Sequence, residues 1–331
     1  MSHTFHLSDS IKTSHRESKC LCVTPSSLFV GGDFSDPTIY EYAFDLDSDH
    51  YEIQSTLIGH TGFVTRLIFL EPSASWPSGR LISSSGDNSI IVWDLSTSNP
   101  CGVLHGHTNV VSSISISSGS LFSGSWDGTI RKWDIETLLC TAVLKGHSSP
   151  IQDVLAISPD EVLSCSSDKT VKLWCHSTVI ETISGHPEIV RRIQPTSEPD
   201  VFVTVSHDGG VRFWNLRTQV CLESLFIHNH FVYAVSVGSF DIGVVKEVVV
   251  SGGEDQMVKI TVDKKLVQEI KYPQVVWDIS FMPNGDFAVA SADGCVRIFT
   301  LDSTRKATQT VQLEFDRLVE ESHIQRALHS S

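Results

Sequence analysis

The chain lacks any C-x-x-C pair, any G-x-G-x-x-G behind a strand-like run, any G-x-x-x-x-G-K-[ST] loop, and any stretch approaching eighteen uninterrupted apolar residues. Without paired spacing, its eight cysteines (Cys20, Cys22, Cys101, Cys140, Cys165, Cys175, Cys221, Cys295) lie scattered, mostly inside apolar runs. That usage fits buried, reduced thiols in a cytoplasmic or nuclear protein better than a disulfide framework or a zinc ribbon. The missing glycine loops remove the usual cradles for dinucleotides and nucleoside triphosphates. The first twenty residues, MSHTFHLSDSIKTSHRESKC, hold no apolar core, so neither a secretory signal nor a membrane span is expected. Basic residues are also scarce: 24 Lys and Arg stand against 39 Asp and Glu, a formal net charge of −15. Such a surface repels phosphate backbones and anionic membranes, so no nucleic acid or membrane is expected as a partner.

Apolar side chains are plentiful. They make up 40% of the chain, with 7 Trp and 16 Phe, enough for a large core. The 331 residues would ordinarily imply two domains, but internal repetition argues for one closed all-β domain. Gly-His pairs recur at Gly59-His60, Gly106-His107, Gly146-His147 and Gly185-His186, with His-to-His steps of 47, 40 and 39 residues. Each is followed by an apolar run, an Asp in a turn, and a Trp six residues after that Asp: Asp87 and Trp93, Asp127 and Trp133, Asp168 and Trp174, Asp208 and Trp214. Alternating strands around Asp-Gly or Asp-Lys turns are hairpin chemistry, and this period and signature are those of the WD repeat. The fold expected is a seven-bladed WD40 β-propeller. In this repeat family the histidine bonds the turn Asp and, through a Ser or Thr, the Trp indole, a buried network that must be fully satisfied.

Three degenerate units complete the circle. The first runs from Ser14-His15 through LFVGGDFSDPTIYEY, with Asp36 and Tyr42 six apart. The sixth keeps His228 and Asp255 but has Ile227 for the Gly and Thr261 for the Trp; the seventh keeps Asp293, with Tyr272 at the His position and Phe299 for the Trp. FHLSDSIK, ahead of the first unit, is expected to supply the outer strand of blade seven and close the ring, hiding sheet edges. The propeller is expected over 1–300. After Thr300, helical spacing at Val311, Leu313, Phe315, Leu318 and Val319 implies a tail or linker helix within 301–331. The Pro- and Ser-rich LEPSASWPSGR reads as a surface loop.

The strings GHPEIVRRI, HFVYAV with GGEDQMVKI, and VVWDISFMPNGDFAVASADGCVRIFT depart from the general repeat in a particular way. In them the chain resembles the N-terminal propeller of the phospholipase-activating protein (PLAA) family, whose yeast relative acts in ubiquitin-fusion degradation. The resemblance runs from Phe5 to about Thr300. It implies a non-catalytic, monomeric propeller, cytoplasmic and nuclear, that holds ubiquitin or ubiquitinated proteins on its top face. It also implies that partnership with the AAA ATPase valosin-containing protein would require C-terminal modules not found in these residues.

In a WD blade, the residues three and five after the His, and the one before the Asp, emerge on the top face. Those positions read Phe63 and Thr65; Val110, Ser112 and Trp126; Pro150, Gln152 and Ser167; Ile189, Arg191 and His207; Phe231, Tyr233 and Glu254; Val275, Trp277 and Ala292. An apolar, aromatic patch of this kind usually marks a protein interface. The resemblance puts Phe231 and Trp277 first as ubiquitin contacts, then Tyr233 and Ser18, with Phe63, Trp126 and Ile189 around them.

Other chemistry finds little support. His228 and His230 form an H-x-H pair, but His228 fills a structural position and no matching Cys or carboxylate follows, so no metal or other cofactor is expected. The repeated His and Asp occupy structural places, and no Ser-His-Asp set breaks the repeat, so no enzyme is expected. Arg191 and Arg192 keep open a second reading, a phosphopeptide-reading adaptor or general scaffold.

Overall fold

The computed structural model describes residues 4–45, 50–73, 76–241 and 245–329. Its strands form seven four-stranded antiparallel sheets, six of them made of four consecutive strands. The blades take in residues 20–57, 64–104, 111–145, 151–183, 190–226 and 232–271, and blade seven joins 276–300 to the N-terminal strand. In that last blade His6–Lys12 pairs with Cys295–Thr300, so first and last strands close the ring as the position of FHLSDSIK predicts.

No single centre holds the core. Apolar clusters lie between successive blades; the Trp93 cluster, for instance, joins blades one and two, and that of Trp133 joins blades two and three. A ring of sheets buries each face against its neighbour, so every blade depends on the next.

The thiol expectation holds in part. Cys20, Cys22, Cys165 and Cys295 are buried, whereas Cys101 and Cys140 are exposed. Both exposed thiols stand on the outermost strands of their blades, Asn99–Leu104 and Leu139–Lys145, which have one free edge. The loop 70–80 includes 74–75, which lie outside the described residues; its Trp76 packs partly onto the cluster between blades two and three.

The C-terminal segment forms one helix, Gln309–His329, and no helix among the described residues is long and apolar enough to cross a membrane. Phe315 and Val319 are buried against blades six and seven, where Phe315 meets the rings of Tyr272 and Phe299 at 5.8 and 6.3 Å. Leu313 is 60% exposed, contrary to the spacing argument. The packed stripe is the partly buried Val311 and the buried Phe315, Val319 and Ser322, and Leu313 points off it because two residues rotate a helix by about 200°. The helix is therefore packed against the propeller rather than trailing from it. Near its end Arg326 donates to the Glu254 carbonyl (2.6 Å), and Gln256 donates to Ser322 Oγ (3.2 Å).

Candidate protein-binding face at the top of the propeller

Blades two, three and four share one hydrogen-bonded network. In blade three, Trp133 Nε1–H donates to Ser123 Oγ (2.8 Å), Ser123 Oγ meets His107 Nε2 (2.8 Å), and His107 Nδ1 meets Asp127 (2.8 Å). An indole N–H can only donate, so the serine must accept it and pass its own proton to Nε2. The imidazole proton then sits on Nδ1 and goes to the carboxylate. His60, Ser83, Asp87 and Trp93 repeat this at 2.7–2.8 Å, as do His147, Ser164, Asp168 and Trp174 at 2.7 Å. Burial opposes ionisation of these aspartates, but bonds from the histidine, a neighbouring hydroxyl and a backbone N–H hold each carboxyl well below the usual range. Blade six keeps His228 bonded to Asp255 and Ser251, both at 2.8 Å, without a Trp.

Blade five departs from expectation. Asp208 pairs with Arg212 rather than with His186, while Trp214 still donates to Thr204 (2.9 Å). Blade seven does likewise: Arg297 holds Asp293 at 2.7 Å and lies over the Tyr272 ring. Where an arginine stands four residues after the Asp, in blades three, five and seven, a hydroxyl two residues after the Asp separates the two designs; blade six, with Met257 and Lys259 at these places, keeps the histidine. Ser89, Thr129 and Thr170 each donate to their Asp at 2.6 Å, whereas Gly210 and Cys295 offer no hydroxyl and an arginine two residues further on bonds the carboxylate; in blade seven Ser291 Oγ takes one oxygen of Asp293 (2.5 Å) and Arg297 the other.

These networks fix the turns that frame the top face. The inner strands of blades two to seven each carry a bulge at one place, after Val64, Val111, Ile151, Val190, Val232 and Val276. A bulge leaves one residue out of the ladder and re-aims its side chain. The residues left out are Thr65, Ser112, Gln152, Arg191, Tyr233 and Trp277, the positions five after the His or, in blade seven, after Tyr272. Several touch the next blade. Thr65 and Ser112 donate to the Val111 and Ile151 carbonyls (2.5 and 2.6 Å), Arg191 donates to Gln152 and lies over Tyr233, and Tyr233 meets Trp277 at 5.0 Å. Lys19 Nζ lies over the Trp277 ring at 3.8 Å.

The aromatic patch follows from this geometry. His207 stacks on Phe231 (4.3 Å) and meets Tyr233 edge-on (5.7 Å); Tyr233 leads to Trp277, and its hydroxyl donates to Glu254 (3.2 Å). Phe231 is 42% exposed, and its turn relies on Gly253, where a Cβ would stand 2.0 Å from the Phe231 carbonyl. Trp126, 38% exposed, lines with Phe63 and Trp277 a depression of about 200 Å³. Ile189 is half-buried, and its carbonyl accepts from His207 N.

Ser18 does not belong to this surface. It is fully buried and bonds Thr13 Oγ1 at 3.2 Å. Leu21 N meets Asp278 as Ile193 N meets Asp153, so Ser18 stands where the buried Val190 stands. The loop leading into blade one is one residue shorter than that of blade five, so the place three after His15 is one step deeper than the place three after His186. The contacts expected from the sequence do not include Phe34, which is 76% exposed, packs on Phe63 at 4.3 Å and lines the same depression. Its signal in the sequence is the long GGDFSDPT turn, which puts a bulky apolar residue where other blades have a tight turn.

The sequence matches the WD domain, G-beta repeat over residues 51–94, 98–134, 138–175, 177–215 and 264–300, more than half of the chain. The chain belongs to the WD-repeat family. Among curated proteins, this WD-repeat chain is similar to ubiquitin homeostasis protein lub1 of Schizosaccharomyces pombe, 32% identical over 142 residues, which are 43% of the chain and 19% of that protein. It is also similar to the ubiquitin fusion degradation protein 3 homolog of Caenorhabditis elegans, 28% identical over 166 residues, 48% of the chain and again 19% of the relative. These matches thus span about a fifth of each relative's length. Among solved structures, the WD40 β-propeller domain of Doa1 superposes with a TM-score of 0.78 at 27% identity, covering 92% of this chain and all of that domain. The resemblance to the N-terminal propeller of the PLAA and ubiquitin-fusion-degradation family is borne out by these relatives.

Proposed function

We propose that this propeller binds ubiquitin, or ubiquitinated proteins, on its top face and works without catalysis in the ubiquitin–proteasome pathway of cytoplasm and nucleus. The observation that carries the reading is the run of rings His207, Phe231, Tyr233 and Trp277 across blades five to seven. Phe231, Tyr233 and Trp277 lie in the segments whose departures from the general repeat carry the family resemblance. Ubiquitin presents a Leu-Ile-Val surface rimmed by basic residues, which suits aromatic anchors on a protein of net charge −15. Names that speak of ubiquitin homeostasis and ubiquitin-fusion degradation among its relatives support the same reading. Valosin-containing protein would enter only through modules beyond these residues.

Truncating a central aromatic anchor typically costs about 2 kcal/mol or more in binding. Titration of labelled mono-ubiquitin should show binding to the wild-type chain and at least tenfold weaker binding to Trp277→Ala and to Phe231→Ala. Absence of wild-type binding, or equal affinity in both variants, would overturn the reading. Weak dependence on salt is expected, whereas a phosphopeptide reader would lose binding steeply.

A further inference from the structure

Two layers of side chains line the channel beneath the aromatic patch, and their charges balance differently. The deeper layer contains Arg66, Arg192, Asp153 and Asp278. Asp278 accepts from Arg192 (3.1 Å) and Leu21 N (2.9 Å) and lies 3.9 Å from Arg66; Asp153 accepts from Ile193 N (2.9 Å) and Ser113. Two guanidinium groups face two carboxyl groups, so this layer is neutral when both aspartates are ionised. Burial pushes both carboxyl groups upward, which tilts the balance toward positive.

The upper layer is the ring of bulge residues. Lys19 joins that ring from blade one, over Trp277, and pairs with Glu17. Arg191 has no such partner: among the described residues no carboxylate lies within ion-pair reach, and its contacts are the Gln152 amide oxygen and the face of Tyr233. Gln152 in turn donates to Ser167 (2.8 Å), which holds its oxygen toward the guanidinium. Asp153 and Asp278 of the deeper layer act on Arg191 only from beyond ion-pair distance, and a guanidinium carries five N–H donors, so a half-buried one without a direct ion pair is left with donors to fill. Burial already depresses Arg191's affinity for its proton. Trp277 lines the same depression, and its Nε1–H, shut off from solvent, has no hydrogen-bond acceptor among the described residues. The cavity, about 200 Å³, has room for one small group and a few waters, since water takes about 30 Å³ each.

We propose that the mouth of the channel is an oxyanion site, in which Arg191, with the Trp277 ring on the same wall, takes a single carboxylate or phosphate group. The group could be a free phosphate-class anion or a carboxylate presented by a bound protein; the chemistry that recognises them is shared. This site does not depend on ubiquitin being the partner, and a chain that binds ubiquitin but no anion would sink this inference alone.

The test uses the full chain labelled with ¹⁵N at tryptophan. The Trp277 indole signal is identified by its loss in Trp277→Phe. Inorganic phosphate and N-acetylglutamate are titrated separately at constant ionic strength, balanced with sodium chloride. The expected result is a saturable shift of the Trp277 signal with at least one probe, at least tenfold weaker in Arg191→Gln and partly retained in Arg191→Lys. Tighter binding of phosphate would point to a free anion, and tighter binding of the carboxylate to a group carried by a protein. No saturable shift with either probe in the wild-type chain, or a shift unchanged in Arg191→Gln, would overturn the proposal.

Discussion

Arg212 holds Asp208, the carboxylate that a histidine holds in blades two, three, four and six. Its Nη1 donates to Asp208 at 3.1 Å and lies 3.4 Å from His186 Nδ1. A guanidinium has no lone pair to offer, so Nδ1 must accept, and the imidazole proton moves to Nε2, facing Thr204 Oγ1 at 3.4 Å. His186 therefore carries the tautomer opposite to that of His60, His107 and His147. Protonating it would place a second buried cation against Arg212.

That arrangement predicts a pH dependence. Burial, then Arg212, brings the His186 pKa down from 6.5 to about 4. A depressed histidine means that the unfolded chain takes up a proton the native state refuses. Stability from this site is whole above about pH 6.5 and falls as pH drops toward 4, by up to about 3 kcal/mol in all. The depressed aspartates do not titrate in either state across most of that window. Thermal melting of the wild-type chain should fall between pH 7 and pH 4.5, and His186→Gln should flatten the fall by several degrees. Parallel curves would show that His186 titrates normally.

The shared serine of the complete blades predicts a stability cost. Ser123 Oγ is the acceptor for Trp133 and the partner of His107 Nε2, all three buried. Ser123→Ala strands two polar groups at once, and each such group costs about 1–3 kcal/mol. We expect a loss of about 3 kcal/mol in urea denaturation. Ser123→Thr should lose much less, because Thr204 already accepts an indole N–H in blade five. If alanine and threonine behave alike, the hydroxyl is not what the blade needs.

How far the sequence could be read follows from these same residues. Period and spacing identify blades because Asp-to-Trp separation is set by one turn and one strand, both local. They do not tell which donor wins the Asp. Asp127 and Asp208 both have an arginine four residues on, Arg131 and Arg212, yet only Arg212 takes the carboxylate. Thr129 against Gly210 decides it, a contrast visible in the chain only once the hydroxyl's target is known. Counting from the histidine located Tyr233 and Trp277 because the bulge is regular from blade to blade. Ser18, which came from the family resemblance and not from the count, lies inward, because a shorter loop ahead of blade one shifts the register there by one.

The docked helix predicts an asymmetric response to truncation along its length. Phe315 lies under Arg297 and against Tyr272, whereas Leu313 faces solvent. Phe315→Ala should cost about 3 kcal/mol, as large-to-small changes in packed sites do, and Leu313→Ala no more than about 0.5. Chemical denaturation of the two variants checks this, and equal effects would mean that the helix is not packed in solution.

Phe34 offers a final prediction, because it separates surface from core more cleanly than any residue chosen by counting. With three quarters of its area exposed and its ring packed on that of Phe63, its removal should leave folding nearly untouched. Yet it lines the depression shared with Trp126 and Trp277, so a protein seated on the Phe231–Trp277 rings would extend over it. Phe34→Ser should shift the melting temperature by less than about 2 °C, consistent with a surface change within about 0.5 kcal/mol. It should weaken mono-ubiquitin binding by about three- to tenfold, the range between rim and anchor residues. Unchanged affinity would confine the footprint to blades five to seven, leaving Phe63 and Trp126 outside it.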